Sequence, residues 1–172
     1  MDLKEYIGSV WHFPKEGVDF KDITPLVNNA KAFRYAVEEM SKFVEETGAD
    51  VIVAPEARGF LFAAPVAFNT NTRLVLVRKP GKLPRECHKI EYSLEYGSGF
   101  QEMHKGDVRP GDNVVVIDDV LATGGTIEAI IKMIELEGAK VKGISFLADL
   151  KYLHQPEFLQ GYNVQRLVEY DE

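Results

Sequence analysis

The segment that most narrows the fold is VVVIDDVLATGGT, Val114 to Thr126. Four β-favouring apolar residues run into two adjacent aspartates and then a Thr-Gly-Gly-Thr turn. The turn opens onto Ile127, Ile130, Ile131 and Ile134, which recur at helical spacing. A buried strand, a tight turn and an amphipathic helix in that order are one half-unit of a parallel α/β sheet. Adjacent carboxylates repel, and each glycine costs a helix interior about 1 kcal/mol relative to alanine, so the segment serves something besides folding.

The rest of the chain repeats the alternation. Phe33, Val37, Met40 and Val44 mark a helix between Asn29, a candidate N-cap, and Gly48, a candidate stop. DVIVAP, Asp50 to Pro55, is short and β-branched and reads as a buried strand, followed by a helical RGFLFAAPVAF. A strand at Leu74 to Val77 leads into a basic loop, then into two weaker strand-like pieces, IEYSLEY and FQEMH, around Gly97 to Gly99. After the helix from about Thr126 to Glu137, strands are predicted at Gly143 to Leu150 and Asn163 to Tyr170. With 172 residues and no linker or repeat, residues 1–172 are expected to form a single domain. The expected class is α/β, an open, mostly parallel twisted sheet of about five strands with helices on both faces. In such sheets ligands bind at the carboxyl ends of the strands, where PEARG, RKPGK and DDVLATGGT all lie.

Charge narrows the partners. The net charge of −7 argues against nucleic acid, and no apolar run has membrane-spanning length. The first residues lack the order of a signal peptide, and a single cysteine, Cys87, fits a reducing compartment, so a cytoplasmic protein is expected. Between Arg78 and Lys89 the balance reverses, with Arg78, Lys79, Lys82, Arg85 and Lys89 against Glu86 alone. Pro80, Gly81 and Pro84 make this a loop, and a mobile one is expected. His12, His88, His104 and His154 show no ligand spacing, and Cys87 has no evident catalytic partner.

The Thr-Gly-Gly-Thr turn offers backbone N–H groups at the positive end of a helix dipole, which is an anion site suited to phosphate. The aspartates before it call for a hydrogen-bond donor or a cation, either sugar hydroxyls or a magnesium ion. A phosphorylated sugar with vicinal hydroxyls satisfies both halves. The P-loop GK[ST] and the dinucleotide G-x-G-x-x-G are both missing from the sequence.

VVVIDDVLATGGT resembles the phosphoribosyl pyrophosphate motif of the type I phosphoribosyltransferases, and EARGF, RKPGKLP and SLEYG are similar to the adenine-using members of that family. The similarity runs from FPKEG at Phe13 to the last strand. The resemblance implies a sheet with a small hood and a flexible strand-like loop over the site. It implies transfer of phosphoribose to N9 of adenine with release of pyrophosphate, Mg2+ carried by the substrate rather than by protein ligands, and a homodimer. By the same resemblance Ala122, Thr123, Gly124, Gly125 and Thr126 cradle the 5-phosphate, and Asp118 and Asp119 hold the ribose hydroxyls. Arg58 contacts the pyrophosphate beside a cis peptide at Glu56–Ala57, and Arg78, Lys79 and Lys82 supply further positive charge, partly across the dimer. Glu95 is the implied general acid or base near purine N7, with Tyr96 beside it on the closing segment. Phe20 stacks on the base, and backbone groups from Asp19 to Lys21 read its edge. The family usually carries an apolar residue at the position of Asp19 and an arginine at that of Lys21, so the base is the most open point. The competing readings are a 6-oxopurine substrate and a regulator that senses phosphoribosyl pyrophosphate; no helix-turn-helix sequence supports the regulator.

Overall fold

The computed structural model describes residues 1–93 and 97–172. Five strands run parallel, in the spatial order β4 (Arg73–Arg78), β3 (Val51–Pro55), β7 (Asn113–Leu121), β8 (Lys140–Leu150) and β9 (Val164–Tyr170). The two strand-like pieces extend this sheet: β5 (Cys87–Ser93) pairs antiparallel with β6 (Ser98–His104), and β6 pairs antiparallel with β4, giving seven strands. The basic loop is therefore shorter than its sequence suggested, because its last residues already belong to β5.

Alternation along two central strands separates the faces. Ile52, Ala54, Val115 and Ile117 pack with α2 (Ala30–Thr47) and α3 (Arg58–Thr70), whereas Val51, Val53, Val114 and Val116 pack with α4 (Gly125–Leu136). Each of these strand residues is fully buried, and each valine or isoleucine side chain among them contributes about 1.5 to 3 kcal/mol of hydrophobic stabilisation. The α2 helix starts as expected, with the Asn29 side chain accepting from the Ala32 N–H at 3.0 Å, and stops at Gly48. Its buried stripe is Ala36, Val37, Met40, Phe43 and Val44. α3 tolerates Pro65 in its interior.

The amino-terminal hairpin and the short helix after it have no pattern of their own in the sequence. Gly8–Trp11 and Asp19–Asp22 form an antiparallel hairpin, β1 and β2, that makes its own two-stranded sheet beside the main one. Neither strand shows clean alternation in burial, so the signal that marks the other strands is missing here. A short helix, α1 (Thr24–Val27), links this hairpin to α2.

Candidate active site

Three loops meet at the carboxyl ends of β3, β4 and β7. β7 does not end before its acids: it continues to Leu121, so Asp118 and Asp119 are strand residues with relative exposures of 9% and 4%. Sheet pairing of Asp118 with Phe146 on β8 accounts for the extension. Burial pushes the Asp118 carboxyl well above its ordinary value of 3.8, and the charge of Asp119 adds to the effect. The Asp119 N–H donates to Asp118 Oδ1 at 2.8 Å. Asp119 Oδ2 faces the Arg58 guanidinium, with Nε at 2.9 Å, but the N–H is out of line, and among the described residues this buried oxygen accepts no hydrogen bond.

Arg58 is the first residue of α3 and follows a cis peptide at Glu56–Ala57, as the resemblance implied. Its guanidinium also lies over the Phe20 ring, 5.4 Å from the centroid, and Phe13 meets that ring edge-on at 5.2 Å. Asp19 and Lys21 occupy the alternate positions of β2 and pair with each other at 2.8 Å. Lys21 Nζ also donates to Ser9 Oγ at 3.0 Å and sits over the Tyr170 ring at 4.4 Å. Alternation on the hairpin therefore gives the aromatic ring to Arg58 and ties the two unusual charges to Ser9 and Tyr170.

The turn from Ala122 to Thr126 lines a cavity of about 100 Å³ together with Tyr92, Ser93 and Asp118. Both glycines are sterically required. Gly124 has φ +92°, and a Cβ there would stand 2.4 Å from Phe158 Cζ; a Cβ on Gly125 would stand 2.8 Å from the Ser93 carbonyl oxygen. The hairpin strand β5 and the Phe158 ring close on the turn from two sides. The first N–H groups of a helix have no partner within it, so α4 directs its amides and its positive dipole end toward this cavity.

The basic loop has an acidic partner in PEARG. Glu56 Oε1 accepts from Arg78 Nε at 3.1 Å and from the Lys79 N–H at 2.8 Å, while Lys82 Nζ lies 3.8 Å from Oε2. Burial alone would raise Glu56, but the Lys79 N–H and the charges of Arg78 and Lys82 outweigh it and hold the carboxyl below its ordinary 4.5. Its place inside PEARG, at the mouth of a fully buried strand, was the available signal. Ser93 opens SLEYG, whereas Phe158 carries no local signal in the sequence. Glu95 and Tyr96 lie outside the described residues. His88 and His104 take structural partners: His88 Nε2 meets Glu137 Oε1, and His104 Nδ1 lies 3.3 Å from Asp107 Oδ2.

Comparison with known proteins follows the same lines. The phosphoribosyl transferase domain family matches residues 26–159. A relative from Mesoplasma florum, an adenine phosphoribosyltransferase, is 64% identical over 99% of this chain and 100% of its own length. The crystal structure of adenine phosphoribosyltransferase from Thermoanaerobacter pseudethanolicus superposes with a TM-score of 0.93 at 48% identity, covering 98% of each chain. The Saccharomyces cerevisiae enzyme, solved with D-2,5-dideoxy-2,5-imino-altritol 1,6-bisphosphate and adenine, superposes with a TM-score of 0.89 at 34% identity over 96% of each chain.

Proposed function

The chain belongs to the phosphoribosyl transferase family, and on that premise we propose that it transfers phosphoribose from 5-phosphoribosyl 1-pyrophosphate to N9 of adenine, giving AMP and pyrophosphate. The observation that carries this reading is the juxtaposition of a cavity at the start of α4, lined by the Ala122 to Thr126 turn, with a buried carboxylate oxygen that lacks a hydrogen-bond donor among the described residues. A 5-phosphate fits the amides from Ala122 to Thr126, and vicinal ribose hydroxyls bring the missing donors to Asp118 and Asp119.

N9 attacks C1 of the ribose, the bond from C1 to the pyrophosphate oxygen breaks, and the base gives up its ring proton. Glu95 is assigned that proton at N7. Arg58, Arg78, Lys79 and Lys82 receive the charge that develops on the leaving group, and pyrophosphate competes with Glu56 for two of them. Phe20 offers a ring face to the purine, and main-chain groups from Asp19 to Lys21 read its edge. Lys21 pairs with Asp19 Oδ2, which supports adenine despite their departure from the usual pattern, while the buried Asp19 Oδ1 accepts no hydrogen bond among the described residues. Magnesium would neutralise diphosphate oxygens. The ion is assigned to the substrate, whose diphosphate oxygens are the harder and more highly charged ligands, and Asp118 and Asp119 are the protein acids that flank the ribose in this reading.

A homodimer belongs to the same reading, supported by the exposed apolar side chains of Leu61 and Phe68 on α3 and Leu76 on β4; sedimentation velocity tests it. No helix among the described residues is long and apolar enough to cross a membrane, and a cytoplasmic location is part of the proposal. The test of function is steady-state kinetics on adenine, hypoxanthine, guanine and xanthine with phosphoribosyl pyrophosphate and Mg2+. Adenine donates from its six-position and accepts at N1, the reverse of a 6-oxopurine, so preference by about two to four decades is expected. A 6-oxopurine preferred over adenine would replace the substrate, and no transfer to any base would overturn the activity.

A further inference from the structure

A buried polar chain ends on the phosphate turn. Asp149, near the end of β8 and paired in register with Leu121 of β7, has a side chain only 1% exposed. Arg166 on β9 donates from Nε to its Oδ2 at 2.5 Å, and His154 Nε2 lies 2.6 Å from its Oδ1. The His154 side chain is itself 5% exposed, and its ring stands 5.6 Å from that of Phe158 in a tilted contact. Phe158 then fills the space where a side chain on Gly124 would be. Four residues from β8, β9 and the loop between them thus run from the sheet to one side of the turn, while Ser93 bounds the other side at Gly125.

We propose that His154 and Phe158 are positioning residues for phosphoribosyl pyrophosphate: Asp149 and Arg166 fix the imidazole, the imidazole fixes the Phe158 ring, and the ring holds Gly124 in the left-handed conformation that aims the α4 amides at the 5-phosphate. The proposal rests on the phosphate-turn assignment made above. It follows from geometry that Phe158 acts as a stop. A glycine at φ +92° has many other conformations open to it, and the three atoms nearest its missing Cβ all belong to this ring, at 2.4, 2.6 and 3.1 Å. Removing the stop leaves the acids, Arg58 and Phe20 untouched, so the loss should fall on the phosphate end of the substrate alone.

The test combines kinetics with a binding measurement that needs no turnover. His154→Ala and Phe158→Ala are expected to raise KM for phosphoribosyl pyrophosphate by about tenfold, with kcat within about twofold and KM for adenine unchanged. Calorimetric titration with ribose 5-phosphate should show a parallel loss of affinity. His154→Gln, which keeps an N–H for Asp149, and Phe158→Leu, which keeps an apolar stop, should recover most of it. Phe158→Tyr should not, because its hydroxyl extends from the ring atom that already meets Gly124. Alanine variants that bind ribose 5-phosphate as tightly as wild type overturn the positioning role and leave the turn assignment intact. Loss of affinity for adenine and ribose 5-phosphate alike, unrelieved by the conservative variants, overturns it as well. Wild-type protein that fails to bind ribose 5-phosphate overturns the turn assignment itself, and the positioning role with it.

Discussion

Asp119 Oδ2 lies 2.9 Å from Arg58 Nε and yet accepts no hydrogen bond among the described residues. Attraction without alignment leaves the oxygen buried and open to a better donor. Arg58 is nearly half exposed and shared with the Phe20 face, so it screens Asp119 without saturating it.

Asp119→Asn is expected to weaken phosphoribosyl pyrophosphate by about 1.5 to 3 kcal/mol, the worth of a hydrogen bond to a charged group. Calorimetry with Mg2+ present checks this; an unchanged Kd removes Asp119 from the ribose site.

Asp118→Asn is expected to bind substrate less well and to melt at a higher temperature than wild type. Burial and the neighbouring Asp119 raise the Asp118 carboxyl, so the folded protein holds this proton more tightly than the unfolded chain. Wild-type stability therefore falls as pH rises above 3.8 toward the raised value, while asparagine, which still accepts the Asp119 N–H, has no proton to lose. Paired melts across pH should show the two proteins converging below 3.8 and separating above it.

The opposite sign holds for Glu56. Its folded value lies below 4.5, so its contribution is full above that pH and is lost as the pH falls through the folded value. Glu56→Gln should be less stable than wild type at neutral pH and indistinguishable in strong acid. Because the side chain anchors Lys79 and Arg78, trypsin should cut the variant faster at Lys82, and phosphoribosyl pyrophosphate with Mg2+ should restore protection. Equal cleavage of both proteins would mean that the loop does not depend on this anchor.

Gly124→Ala should lower stability by about 1 to 3 kcal/mol through positive-φ strain and the contact with Phe158, and should abolish measurable phosphoribosyl pyrophosphate affinity. Chemical denaturation and titration on the same sample separate the two effects.

Glu95→Gln is expected to lose about 100-fold or more in kcat with little change in substrate binding, since an amide keeps the shape and gives up the proton transfer. Near-wild-type turnover would remove Glu95 from the proton transfer.

The central parallel strands were legible because their burial leaves a mark in composition: Val51 to Pro55 and Val114 to Ile117 are apolar without interruption. The helices were legible through Asn29, Gly48 and the isoleucine stripe. The β1–β2 hairpin left no such mark, since GSVW and DFKD are half-exposed and too short for a period to show. At the site, the turn and the acids were read from local chemistry. Pairing between distant residues was not: that Glu56 would claim Arg78, that Asp19 and Lys21 would neutralise each other, and that Phe158 would press on Gly124 all depend on tertiary contacts. The continuation of β7 through its acids came likewise from a neighbour, β8, and not from its own sequence.

The separate hairpin gives the molecule two rates of opening. β1 and β2 hydrogen-bond to each other rather than to the seven-stranded sheet, so their amides exchange with solvent once the Phe20 and Lys21 contacts let go. Amides from Val114 to Val116 lie in a strand flanked by β3 and β8 and fully buried, and they exchange only when the whole sheet comes apart. Deuterium should enter the hairpin orders of magnitude sooner than the central strand. That pattern would mean that the wall carrying Phe20 opens while the floor carrying Asp118, Asp119 and the Ala122 to Thr126 turn stays closed, so that on the proposed function a flat base could pass without release of the sugar phosphate.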